Sequence, residues 1–473
     1  MLFNSRVFIL AFLPVALSLY LAAARLGRRA AMLWLLAVSL VFYAWWKPLC
    51  LPLLLGSIGT NFLCGRMMLR APRRRLWLVA GLVFNFALLG VFKYAGLFGV
   101  AGIVLPLGIS FFTFQQVMFL VDTWRGELGA APFLDYACFI AFFPHLISGP
   151  IVRPGHILPQ FAALRPWAGL RARVAEGAEL FLLGLAKKMV LADGLARFAD
   201  PGFAAAARHD PLSLVEAWVA LLAYALQIYF DFSGYSDMAI GLARMFGISF
   251  PVNFASPYKA DNISLFWRRW NITLSFFLRD YLYIPLGGNR RGEARRIANL
   301  LITMLLGGLW HGAAWRFLLW GGLHGVYLVL HGWAGRLRLR LPVRLGWALT
   351  LFCVLLAWVP FRAAGFGAAM AFYKGLFGGN GVVLPALLVQ AAPWLGHVAR
   401  AVPVLPYLGD ARTLSLPQAV LMLALGWWIA LAWPNTQEMT RGRRHAALVA
   451  SVAFSLQALF FAPAAVPFLY FQF

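Results

Sequence analysis

Apolar stretches close to the ~20 residues that cross a bilayer as helix recur from end to end of this chain, separated by short polar or basic breaks. Phe8 to Ala24, Ala31 to Trp46, Leu51 to Leu63, Glu176 to Leu191, Leu212 to Phe230, Leu345 to Phe361, Pro417 to Trp433 and Ala446 to Phe461 are such runs. None alternates polar and apolar positions as barrel strands do, so the pattern predicts an all-α polytopic membrane protein. Roughly eleven to thirteen spans are expected, some broken or re-entrant, around a central tunnel.

The breaks between runs carry their own predictions. The stretch Leu76 to Val121 divides at Lys93-Tyr94 and again at Pro106, which removes a backbone donor. FFPHLISGPIVR, Phe142 to Arg153, holds Pro144, Gly149 and Pro150, too many breakers for a span. A re-entrant turn held against protein is expected there, because lipid cannot satisfy free backbone groups. Leu212 to Phe230 runs into DFSGYSD, whose Asp231 and Asp237 suggest a polar cavity or, equally, carboxylates that cap helix ends or pair with Arg244 or Lys259. Ser264, Arg268, Asn271, Ser275 and Arg279 fall three or four apart, which predicts one helix from Asn262 to Arg279 with all five on one face. Ala363 to Leu416, rich in glycine and proline, reads as surface helices and loops outside the membrane. Neither a repeat nor a second soluble domain interrupts residues 1–473, which form a single membrane-embedded domain.

Composition agrees with this reading: of 473 residues 62% are hydrophobic and only 12% charged, with 16% aromatic. The mean hydropathy of +0.77 lies far from that of soluble globular chains. Lys and Arg outnumber Asp and Glu by 41 to 16, a net charge of +25 that in a soluble protein would suggest nucleic acid. Here the cations cluster between runs, at Arg25 to Arg29, Arg66 to Arg75, Lys187-Lys188, Arg336 to Arg344 and Arg441 to Arg444. That is how positive-inside topology and anionic lipid shape a sequence, so lipid is the expected partner of these cations and nucleic acid is not. The first two clusters place the N-terminus outside and themselves in the cytoplasm, where an anionic substrate would meet the same field. Cys50, Cys64, Cys138 and Cys353 lie apart in apolar sequence and indicate neither a disulfide framework nor a metal site.

Polar chemistry concentrates between Asp261 and Gly325. His311 stands in GLWHGAAW within an apolar run, with Asn271 40 residues before it and His324 13 residues after. An ionisable group at membrane depth is costly, so function is its default explanation. Thirteen residues of unbroken helix rise ~20 Å, so both histidines could not touch one atom unless the glycines around them break the helix. No HExxH or Cys/His set accompanies His311, which disfavours a metal, and no GxSxG elbow accompanies it either. A proton relay with Asp231 or Asp237, general-base catalysis on a hydroxyl, and a merely packed histidine all fit these residues.

A resemblance separates them. LPLGISFFTFQ, FFPHLISGPIVR, GLAKKMVLAD, DFSGYSDMAIGLARMFGI, NFASPYKADNISLFWRRWNITLS, RDYLYIPLGGNRRG, GLWHGAAWRFLLWGGLHG, WVPFRA, PNTQE and FLYFQF follow one another in order. The series resembles the membrane-bound O-acyltransferase family, and within it the membrane subunits of bacterial alginate and related polysaccharide O-acetyltransferases. The resemblance implies a catalytic core at about residues 92–362, with His311 as the active-site base. It places Asn271 at the second signature position, where bacterial polysaccharide acetylases often carry histidine, and His324 at a further recurrent histidine. His145 stands where relatives often show glutamine and receives no role. The implied reaction takes an acyl group, acetyl first of all, from cytoplasmic acyl-CoA as donor substrate, with no bound cofactor. Charge points to Arg268, Arg269 and Arg290 as holders of the donor phosphates. The acceptor would be a polysaccharide outside the bacterial inner membrane, reached directly or through an extracytoplasmic acetyltransferase partner. D-alanyl transfer toward teichoic acid and a proton-coupled transporter or flippase are the alternatives.

Overall fold

The apolar runs fold as helices whose ends fall at glycine, proline or charge. The structure, a computed structural model, describes residues 1–100, 102–339, 341–403, 405–408, 416–461 and 466–469. The end of the FLYFQF motif, Arg340 in its basic cluster and part of the Ala363 to Leu416 section lie outside the described residues. The N-terminal part comprises α1 (Leu13–Ala24), α2 (Arg28–Ala44), α3 (Leu51–Arg70), α4 (Arg74–Leu89) and α5 (Ile109–Arg125). A π-helical turn, Gly90–Tyr94, prolongs α4. Buried amides knit this part together: Asn61 donates to Gln116 at 2.9 Å, and Asn85 donates to Asn61 at 2.6 Å.

After α6 (Phe133–Ala141), the FFPHL segment forms one short turn, α7 (Phe143–Leu146), before α8 (Pro154–Ala162). Every residue from Phe142 to Val152 is buried. The expected re-entrant turn is thus held against protein, and His145 is a packed histidine whose Nε2 lies 2.8 Å from the Phe139 carbonyl.

Glycine then lets two backbones touch. α9 (Leu170–Ala186) runs antiparallel to α11 (Leu214–Met245), with α10 (Asp193–Ala207) between them in sequence. A Cβ on Gly177 would sit 2.5 Å from the Gly241 carbonyl oxygen, and one on Gly184 2.5 Å from that of Gly234. No other residue type allows that approach. α11 is also longer than the sequence suggests, continuing without a break through Asp231 and Asp237. Neither carboxylate caps a helix end; both project from mid-helix onto the cations that follow Gly184.

The helix expected from Asn262 to Arg279 is broken in two, α12 (Ile263–Arg269) and α13 (Ile272–Leu278). Asn271 adopts left-handed φ 41° and ψ 56° at the break, a conformation asparagine tolerates better than most residues. Partners from elsewhere satisfy the freed backbone: Ile272 N–H donates to the Asn253 carbonyl, Thr273 N–H to Asn253 Oδ1 and Ala255 N–H to the Arg269 carbonyl. The five polar residues therefore do not share one face, because tertiary hydrogen bonds outweigh their local periodicity.

α14 (Gly292–His311) and α15 (Trp315–Arg336) form a tight antiparallel hairpin, followed by α16 (Val343–Arg362). At its crossing the Gly308 and Gly321 backbones meet, a Cβ on either lying 3.2 Å from the other's Cα. Beyond α17 (Phe366–Leu376) the described residues include a two-stranded parallel pair, β1 (Val383–Pro385) and β2 (Arg400–Val402), with α18 (Ala386–Ala391) between them. α19 (Leu416–Leu431) and α20 (Arg441–Phe461) are the last two α-helices among the described residues.

Four helical stretches among the described residues are long and apolar enough to cross a bilayer: Pro48–Arg70, Arg74–Phe98, Leu214–Met245 and Val343–Arg362. Phe8–Ala24 and Pro417–Leu431 are shorter apolar helices. With hardly any sheet, the chain is a multi-pass helical membrane protein.

Candidate functional site

The hairpin crossing delivers His311 to the interior. α14 stops at His311, Gly312 is extended, and α15 begins three residues later with Trp315, so the imidazole stands where the helix ends. His311 is 4% exposed and boxed by rings edge-on: Trp310 at 4.8 Å, Trp320 at 5.0 Å and Phe361 at 5.0 Å. It lines a cavity of about 20 Å³. Ile228, Asp231 and Phe232 of α11, Trp358 and Phe361 of α16, Trp270 at the helix break, Trp320 and Leu469 complete the wall. That volume holds about one water. Anything larger than a water can enter beside His311 only if aromatic walls move aside.

His324 belongs to the second arm of the hairpin, not to a deeper turn of the same helix. Its ring lies 4.9 Å from Trp320, which is itself 5.0 Å from His311, so one indole touches both imidazoles. Phe266 and Trp267 of α12 close the other side at 6.1 Å and 5.1 Å. His324 is wholly buried, and neither ring nitrogen has a hydrogen-bond partner among the described residues. It does not line the cavity, and Trp320 is the wall residue it shares with His311. Asn271 follows Trp270, a cavity wall, and is itself buried, its Nδ2 without a partner among the described residues. A buried amide donor is thus left unengaged among the described residues, next in sequence to a cavity wall.

Arg268 and Arg269 end α12, the helix whose other face packs on His324; Arg268 and Arg290 are exposed and Arg269 half-buried. None of the three forms an ion pair among the described residues. A second cavity, about 310 Å³, is lined by Arg153, His156 and Arg279 with Thr273 and Phe277. Its two guanidiniums share the Asp280 carboxylate, so much of their charge is already answered.

The motifs far apart in sequence converge on α11. Asp237 pairs with Lys187 at 2.7 Å and accepts from Gln437 of PNTQE at 3.1 Å. Asp231 pairs with Lys188 at 2.7 Å and accepts the Leu469 N–H at 2.9 Å. Lys188 also donates to Asp193 at 2.7 Å and to the Pro467 carbonyl at 3.2 Å. The partners are thus Lys187 and Lys188 rather than Arg244, which pairs with Glu176, or Lys259, which donates to the Trp433 carbonyl. A carboxylate locked in this way serves poorly as a mobile proton carrier. Trp320, Phe361 and Leu469 were not among the site residues legible in the sequence: aromatics are common at every membrane helix, and Leu469 lies 158 residues from His311.

A model of the membrane-bound O-acyltransferase family matches residues 110–359. A peptidoglycan O-acetyltransferase of Helicobacter pylori is 42% identical over 444 residues, covering 84% of each chain. A "probable alginate O-acetylase AlgI" of Pseudomonas aeruginosa is 42% identical over 400 residues, 80% of this chain and 75% of its own. A teichoic acid D-alanyltransferase of Streptococcus thermophilus is 28% identical over 233 residues, 48% of this chain and 56% of its own. The matched span holds His311, Asn271, His324 and all of the cavity wall except Phe361 and Leu469. The chain belongs to the membrane-bound O-acyltransferase family and is a membrane O-acyltransferase.

Proposed function

We propose that this protein moves an acetyl group from cytoplasmic acetyl-CoA to hydroxyls of an extracytoplasmic polysaccharide at the bacterial inner membrane, directly or through an extracytoplasmic partner protein. The observation that carries the reading is the position of His311: a buried imidazole at a helix end, on a small apolar cavity inside the family-matched span. In the proposed reaction the neutral ring takes the proton of the acceptor hydroxyl as its oxygen attacks the thioester carbonyl. The new ester C–O bond forms, the C–S bond breaks, and the CoA thiolate leaves with the proton that the imidazole returns. Asn271 offers its free N–H to the thioester oxygen, while Arg268, Arg269 and Arg290 hold the phosphates of the donor outside the apolar chamber. His324 backs Trp320.

Acetyl is favoured over D-alanyl by charge. An alanyl ester carries an ammonium that needs an anion when desolvated, and Asp231, the carboxylate on the cavity wall, is engaged by Lys188 and the Leu469 N–H. The acetylating relatives are also the more similar and match far more of the chain. The test is thiol release from acetyl-CoA by purified protein together with O-acetyl ester content of cell-surface polysaccharide. His311→Ala should lower both by about 10²–10⁴-fold; unchanged esterification in that variant would refute the reading.

A further inference from the structure

The helix that ends in His311 is held from outside by a single π-helical turn. The Lys93 ammonium donates to the Trp310 carbonyl and, at 2.8 Å, to Ser110 Oγ. The neighbouring Tyr94 hydroxyl donates to the Leu309 carbonyl at 3.1 Å. Both side chains come from Gly90–Tyr94, at the end of α4 and 217 residues before Trp310. The last carbonyls of a helix have no partner within it and carry its partial negative charge, so a cation with N–H donors is the matching group.

Lys93 has no carboxylate partner among the described residues, although it is half-buried in an apolar stretch. A leucine would fill the position without the cost of placing an ammonium there, so the charge calls for a use. π-Helical turns recur at functional sites because the extra residue redirects side chains. Here the turn presents adjacent residues to adjacent carbonyls of α14, the two immediately before the histidine. The Lys93 ammonium also lies 5.7 Å from the Trp310 ring centroid, and that indole stacks on Phe114 at 5.6 Å. The backbone on one side of His311 and the ring of its predecessor are therefore both fixed by groups outside α14.

We propose that Lys93, seconded by Tyr94, is a positioning residue for acyl transfer that fixes the final turn of α14 and so aims the His311 ring into the cavity. The proposal rests on His311 being the base. Small displacements of a base cost rate more than binding, on the order of 10²-fold for 1 Å. With acetyl-CoA as donor and thiol release as readout, Lys93→Met in the full-length protein should lower kcat about 10- to 100-fold and leave the donor KM near its original value. Lys93→Arg, which can still donate to the Trp310 carbonyl, should recover most of the loss; a purely space-filling role would give no such rescue. Lys93→Met/His311→Ala should be no slower than His311→Ala alone, because the lysine acts through the histidine. Should Lys93→Met fail to fold, Tyr94→Phe removes only the Leu309 bond and should lower kcat several-fold at constant KM. Wild-type kcat in Lys93→Met, or a change confined to KM, overturns the proposal while leaving His311 as base. Full activity in His311→Ala would instead remove the base, and the proposal with it.

Discussion

Lys188 Nζ and Asp231 Oδ1 stand 2.7 Å apart with their side chains 2% and 4% exposed, an ion pair formed where Gly184 lets α9 touch α11. Asp193 shares the same ammonium but is partly exposed, so Lys188→Met strands above all Asp231, which cannot reach water. Removing one partner of a buried pair costs about 3–5 kcal/mol. The thermal midpoint of the detergent-solubilised protein should fall sharply in Lys188→Met, and the double variant Lys188→Met/Asp231→Leu should regain part of it. Equal midpoints for the single variant and the wild type would mean that this pair contributes nothing.

The hairpin that carries the site contains its own control. A methyl on Gly308 would meet the Phe317 carbonyl oxygen at 2.2 Å, whereas one on Gly322 would meet only Leu305 Cδ2 at 3.6 Å. Backbone cannot yield as a side chain does, so Gly308→Ala should cost at least about 1–3 kcal/mol and shift His311 off the cavity. Gly322→Ala should be neutral or slightly stabilising, since alanine favours helix by up to ~1 kcal/mol. Folded yield and thiol-release activity measured side by side distinguish the two; comparable behaviour would contradict the close crossing.

Much of this arrangement was legible before any coordinates, and the exceptions share a cause. The basic clusters and apolar runs announce a polytopic helical protein, and His311 stands out as a lone imidazole among apolar residues. The FFPHL turn was readable from its breakers, which act locally. The break at Asn271 was not: three- and four-residue spacing suggested a continuous helix, and the bonds that reward the break come from Asn253 and Ala255. Nor was the uninterrupted course of α11 through Asp231 and Asp237, because the cations that make it tolerable, Lys187 and Lys188, sit on another helix. Lys93 looked like a mere interruption in an apolar run, since its carbonyl acceptor lies on α14. Long-range partners, invisible to periodicity, account for each of these cases.

The two imidazoles that share Trp320 as a neighbour should respond unequally. Removing a general base typically costs about 10²–10⁴-fold, and His311→Gln should lose that much in kcat at an unchanged donor KM. His324→Leu fills the same space beside Trp320 without the ring. Its effect should be smaller, a partial fall in kcat, because His324 does not touch the cavity. Steady-state rates with acetyl-CoA decide the order; a His324 variant as inactive as His311→Gln would make both rings part of the chemistry.

Charge without a local partner is what an incoming anion can use. Arg268, Arg269 and Arg290 have no carboxylate among the described residues, while Arg153 and Arg279 both lean on Asp280. Neutralising the first three to glutamine should raise the acetyl-CoA KM on the order of 3- to 10-fold, since exposed contacts are individually weak. The increase should shrink at high salt, where the wild-type advantage is screened. Glutamine at Arg153 and Arg279 should change KM less, because it removes charge already compensated. An acetyl thioester of pantetheine, which lacks the nucleotide phosphates, separates recognition from general damage: its KM should be indifferent to the triple substitution. If that small thioester suffers as much as acetyl-CoA, these arginines support the fold around α12 rather than the donor.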